Sequence, residues 1–172
     1  KTETDIAQFN KNKKDLFDKN SKSHALFLSA NCDKIPNIGT YFHTWENNHC
    51  VMLCGNLIDK RDLKFLIKNY RPSIVCFPKK LKAHFIKKNF NKLNEFFDYN
   101  IYFAKKKKIN RIYKKLSLML STSGSTGNKK WVKLSEDNLK SNISAVSSYF
   151  KINDKNITIT SLPPEYTYGL SI

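Results

Sequence analysis

Between residues 24 and 78 the chain repeats one pattern three times: a short, almost wholly apolar run, then a polar turn, then a longer stretch. The runs are His24 to Ala30, Cys50 to Cys54 and Ser73 to Phe77, each about the length of one strand and too apolar to have a solvent face. A strand buried on both faces belongs inside a parallel sheet covered by helices, and the connections are long enough to hold those helices. The spacing predicts helices over about 34–47 and from Asp59 to Tyr70, with Asp59 as N-cap and Arg71-Pro72 as the stop. A further helix is expected over about 5–18, carrying Ile6, Phe9, Leu16 and Phe17. The class is therefore α/β, alternating strands and helices around a largely parallel sheet, in one domain across residues 1–172.

The later chain extends the pattern. Pro78 is expected to open a Lys-rich helix with Leu81, Phe85 and Ile86 on one face and Lys80, Lys87 and Lys88 elsewhere. Phe96 to Ala104 reads as a strand, and Lys105 to Lys108 as an exposed loop. Leu116 to Leu120 is the most strand-like run of the second half, and Lys130 to Leu134 alternates like its hairpin partner. Ser135 is a hydroxyl N-cap for a helix that puts Leu139, Ile143, Val146 and Tyr149 on one face.

Between those two strands lies the densest chemistry in the sequence. Residues 121–127 are drawn only from Ser, Thr and Gly, with five hydroxyls, and lysines follow at 129 and 130. Successive backbone amides, hydroxyls and glycines free to take positive φ suit a concavity for a polyphosphate, and a lysine just beyond adds a point charge. The spacing is not that of the Walker loop: Gly124 and Gly127 are separated by only two residues, and no Ser or Thr follows the lysines to hold magnesium.

The charge is lopsided, with 31 basic against 14 acidic residues and a formal net charge of +17. Only Arg61, Arg71 and Arg111 are arginines, and 28 lysines accompany 19 asparagines. Base and bidentate phosphate recognition favours the planar guanidinium, and joint Lys and Asn enrichment is what an AT-rich gene produces, so no specific nucleic-acid partner is expected. A basic nucleic-acid or membrane-surface module using Lys79 to Lys92 and Lys105 to Lys115 is the alternative reading. Cys32, Cys50, Cys54 and Cys76 form no C-x-x-C pair and read as buried thiols; His49 beside Cys50 lacks the second ligand pair a metal needs. No secretory signal or membrane span is legible, and a cytoplasmic setting is expected.

The stretch Thr122-Ser123-Gly124-Ser125-Thr126-Gly127-x-x-Lys130-x-Val132 resembles the phosphate-binding signature of the adenylate-forming superfamily, the AMP-dependent synthetases and ligases. Downstream, Leu162-Pro163-Pro164-Glu165-Tyr166-Thr167-Tyr168-Gly169-Leu170 resembles that family's next motif, with Tyr166 where many members carry His. Lys129 stands where the family usually has Pro and Trp131 where it usually has Gly, so the end of the loop is expected to be stiffer or differently packed.

The resemblance implies an enzyme that joins a carboxylic acid to ATP, with magnesium assisting, and passes the acyl group to a thiol such as CoA or a carrier protein. It implies that Thr122, Ser123, Gly124, Ser125, Thr126, Gly127 and Lys130 hold the phosphates, and that Tyr166, Tyr168 and Gly169 line the wall between adenylate and acyl group. The family's later motifs, including the catalytic lysine of a C-terminal domain, have no counterpart here. The 172 residues are therefore expected to be the incomplete N-terminal part of the large adenylation domain, with no catalytic residue of their own and inactive alone.

Overall fold

The computed structural model describes residues 24–30, 34–55, 59–96, 98–105, 112–121 and 130–157. Within them seven strands form one sheet: β1 (Leu26–Ala30), β2 (Cys50–Cys54), β3 (Ile74–Pro78), β4 (Phe90–Phe96), β5 (Tyr99–Ala104), β6 (Leu116–Ser121) and β7 (Trp131–Ser135), in the order β4-β5-β3-β1-β2-β6-β7. The four central strands run parallel, Leu28 beside Met52 and Val75, and Met52 beside Met119. Each flank closes with antiparallel pairing, β3 with β5 and β5 with β4 on one side and β6 with β7 on the other. The fold is α/β, as the alternating pattern requires.

Helices lie on both faces: α1 (Lys34–Glu46), α2 (Lys60–Tyr70) and α3 (Glu136–Phe150). Alternate residues of each strand feed opposite cores, because successive Cβ atoms point to opposite faces. Leu26, Leu28, Cys50, Met52 and Val75 pack with Leu63 and Leu66 of α2. Phe27, Val51, Leu53, Leu118 and Leu120 pack with Tyr41 of α1 and Leu139 of α3. In β6, Leu116 belongs to the first core and Leu118 to the second. A register shift between these two residues inserts the extra position that turns the strand over.

Helix ends follow their sequence signals. The Asp59 carboxylate accepts from the amides of Arg61 and Asp62, both at 2.8 Å, and Arg71 closes α2 with φ 46°. Ser135 and Asn138 form a reciprocal capping box at the start of α3.

Three readings are corrected. Residues 79–88 form two 3₁₀ turns, Lys79–Leu81 and His84–Lys88, rather than one helix, because Lys82 takes φ 45° between them. Burial of Ala83 and Ile86 against the first core fixes that bend, and Lys80, Lys87 and Lys88 stay exposed as expected. The strand read over Phe96 to Ala104 starts at Tyr99, and Phe96 instead ends a separate strand, Phe90–Phe96, paired to β5 at the sheet's edge. On α3 only Leu139 is buried, while Ile143 and Tyr149 are 49% and 81% exposed, since the helix meets the sheet at its first turn. The helix expected over 5–18 lies outside the described residues.

Candidate functional site

The carboxyl ends of the parallel strands share one edge of the sheet, the edge at which open α/β sheets bind ligands. Ala30 of β1 pairs with Cys54 of β2, and the next residue along from the Leu53–Leu120 pair on β6 is Ser121. Ser121 pairs in turn with Trp131, the last rung of the β6–β7 hairpin before the loop. The loop therefore springs from the carboxyl end of a buried parallel strand and returns along the flanking strand β7.

Of the candidate phosphate-binding residues, the structure places Lys130, an exposed residue at the foot of β7 directly before Trp131. Thr122, Ser123, Gly124, Ser125, Thr126 and Gly127 lie outside the described residues, as do Tyr166, Tyr168 and Gly169. The two described residues that frame the loop, Ser121 and Lys130, hold its ends beside each other at the mouth of the hairpin.

What secures that mouth is an aromatic contact. Trp131 is partly buried against the first core, its ring 6.1 Å from that of Tyr70 in a T-shaped arrangement at 66°. This large side chain ties β7 to the end of α2. Burial, then the neighbouring Cys54, pushes the Tyr70 phenol above its ordinary pKa. A second buried contact was not legible beforehand: at the end of β1, the Ser29 hydroxyl donates to Asn37 Oδ1 of α1 at 2.6 Å, both residues wholly buried. A lone serine inside an apolar run was its one sequence signal.

Burial pushes the Cys50 thiol and the Tyr41 phenol up to about 12, so neither ionises near neutral pH. Cys50, Cys54 and Cys76 are buried thiols outside any disulfide, as read; Cys32 lies outside the described residues. The His49 ring stacks on Phe27 at 5.3 Å and its Nδ1 accepts from the Ala25 amide at 3.3 Å. Among the described residues, no group of three His, Cys, Asp or Glu could hold a metal ion, and no helix is long and apolar enough to cross a membrane.

No protein-family model matches the chain, and no curated protein sequence matches it. Solved structures do. ATP-bound MatB from Rhodopseudomonas palustris is 21% identical with a TM-score of 0.65, the match covering 96% of this chain and 34% of that one. A long-chain-fatty-acid-CoA ligase, FadD1 from Archaeoglobus fulgidus, is 13% identical with a TM-score of 0.67, covering 98% of this chain and 36% of that one. The o-succinylbenzoate CoA synthetase MenE from Bacillus subtilis, solved with an acyl-adenylate intermediate, is 14% identical with a TM-score of 0.62, covering 96% and 45%. The chain shares the fold of these structures over nearly all its own length, and spans between about a third and under a half of theirs.

Proposed function

We propose that residues 1–172 form the N-terminal part of the adenylation domain of an AMP-forming carboxylate ligase, and that the 121–130 loop holds the phosphates of ATP. The observation that supports this most is the position of that loop. A run of Ser, Thr and Gly with a lysine at its end leaves the carboxyl end of a buried parallel strand in a fold shared with an ATP-bound structure.

Backbone amides and the hydroxyls of Thr122, Ser123, Ser125 and Thr126 would donate hydrogen bonds to the β- and γ-phosphate oxygens, Gly124 and Gly127 would let the chain approach closely, and Lys130 would add positive charge. As pyrophosphate departs, its growing negative charge meets donors already in place instead of water that must reorganise. Magnesium accompanies ATP as its counter-ion in this reading. Tyr166, Tyr168 and Gly169 would bound the acyl group, with CoA or a carrier-protein thiol as acceptor, in the cytoplasm.

The test is carboxylate-dependent exchange of labelled pyrophosphate into ATP by the full-length gene product, across short, long and aromatic carboxylic acids. Thr126→Ala with Lys130→Ala is expected to slow exchange by at least roughly tenfold, the loss of preorganised donors at a developing charge. An unchanged rate refutes the phosphate role.

A further inference from the structure

At the opposite edge of the sheet the structure gathers charge that neither folding nor ATP binding uses. Residues 79–105 contain seven lysines and two acids, Glu95 and Asp98. Lys79 and Lys92 both pair with Glu95 and hold its carboxyl below the usual carboxylate range through those hydrogen bonds, so the one acid facing the strand is already neutralised. Lys80, Lys82, Lys87, Lys88 and Lys105 are exposed and make no ion pair among the described residues.

An α-helix over residues 79–88 would have spread these ammonium groups around a solvated cylinder. The two 3₁₀ turns fold them back instead. The Lys105 amide donates to the Asn89 carbonyl at 2.9 Å, which seats the end of β5 against the turn leading into β4. The result is an open cavity of about 400 Å³ lined by Lys87, Phe90, Asn91, Lys92, Tyr102 and Lys105. Three lysines and an asparagine line it; the Lys92 ammonium is held by Glu95, which leaves those of Lys87 and Lys105 outside any ion pair among the described residues, and the volume falls within the range of small-molecule sites. Lysine on an edge strand discourages strand addition, which accounts for Lys92 on β4. It does not account for Lys87 and Lys105, which lie outside β4 and meet it at the same cavity.

We propose that this cavity binds a small phosphate-bearing anion, at a site separate from the 121–130 loop. Five strand spacings of about 4.8 Å lie between β4 and β6, roughly 24 Å. Lysine recognises phosphate as a point charge without the directional fork of arginine, and residues 79–105 contain no arginine. A single-stranded nucleic acid would need aromatic faces to stack on, and Phe90 and Tyr102 are both buried, at 5% and 6% exposure.

The experiment is calorimetric titration of inorganic pyrophosphate into the Thr126→Ala, Lys130→Ala chain, where the weakened hairpin loop is the same in every arm and the change on altering Lys87 and Lys105 reports this cavity. Saturable one-site binding is expected, weakened by roughly tenfold or more when Lys87→Ala and Lys105→Ala are added, and retained with Lys87→Arg and Lys105→Arg, at 0.1 M salt where the screening length is about 10 Å. Both positions are exposed, so unchanged circular dichroism confirms that these variants fold. Equal affinity before and after the alanine substitutions overturns the proposal. So does binding seen with a 20-mer oligonucleotide or phosphatidylserine vesicles but not with pyrophosphate, which would make this a diffuse basic face.

Discussion

Removing the Trp131 side chain tests how the hairpin that frames the loop is held. Trp131 is partly buried against the first core and meets Tyr70 edge to face at 6.1 Å. Truncating a fully buried aromatic to alanine costs about 3–5 kcal/mol. A half-buried one at the sheet's flank should cost about half that, roughly 2 kcal/mol, of which the ring pair accounts for about 0.5–1.5 kcal/mol. For a chain of this size the melting temperature should fall by about 4–8 °C. Urea unfolding followed by the fluorescence of Trp45, the remaining tryptophan, reads the loss. A double-mutant cycle with Tyr70→Leu isolates the ring pair and should return about 1 kcal/mol of coupling. Additive effects, with coupling under about 0.3 kcal/mol, would show that the two rings are neighbours without being partners.

Burial, the charge of His24 and, in the opposite sense, a hydrogen bond to the Asn48 backbone leave His49 with a net pKa below its ordinary 6.5. A base whose folded pKa is depressed is fully compatible with the fold above the unfolded value and loses stability as pH drops through 6.5 toward the folded one. Urea midpoints should therefore fall between pH 7 and 5 in the wild type and fall less steeply in His49→Gln; parallel slopes would assign the titration elsewhere. Ser135→Ala removes the acceptor for the Asn138 amide at 3.1 Å and should cost about 1 kcal/mol in the same assay, with Ser135→Asp recovering most of it. Cys50, with its thiol pushed up to about 12, should resist a thiol-specific disulfide reagent at pH 8 until urea is added, along with buried Cys54 and Cys76. Peptide mapping that finds Cys50 modified in the native protein would contradict its burial.

The parallel core was legible because its strands are buried on both faces and so read as uninterrupted apolar runs; Cys50 to Cys54 matches its strand residue for residue. Caps were legible for a local reason, since Asp59 and Ser135 act on amides two or three residues away. The β6–β7 hairpin was legible from alternation on either side of the Ser/Thr/Gly run. Elements decided by distant contacts were not. The apolar positions 81, 85 and 86 have helical spacing, yet packing of Ala83 and Ile86 on the sheet outweighs it and bends the chain at Lys82. Phe90–Phe96 is an edge strand whose Asn91, Lys92 and Glu95 are exposed, so it carries no buried-strand signal. At the candidate site, residue types came from the sequence, while the Trp131–Tyr70 contact joins positions 61 residues apart and needed the fold.

The most direct measurement is calorimetric binding of magnesium-ATP in the Lys87→Ala, Lys105→Ala background, where the far edge of the sheet is silenced. The 121–130 loop predicts saturable binding that Thr126→Ala with Lys130→Ala weakens by roughly tenfold or more, through loss of a hydroxyl donor and a point charge at the phosphates. Equal affinity in the two chains would contradict a phosphate-holding loop, and with it the ligase reading.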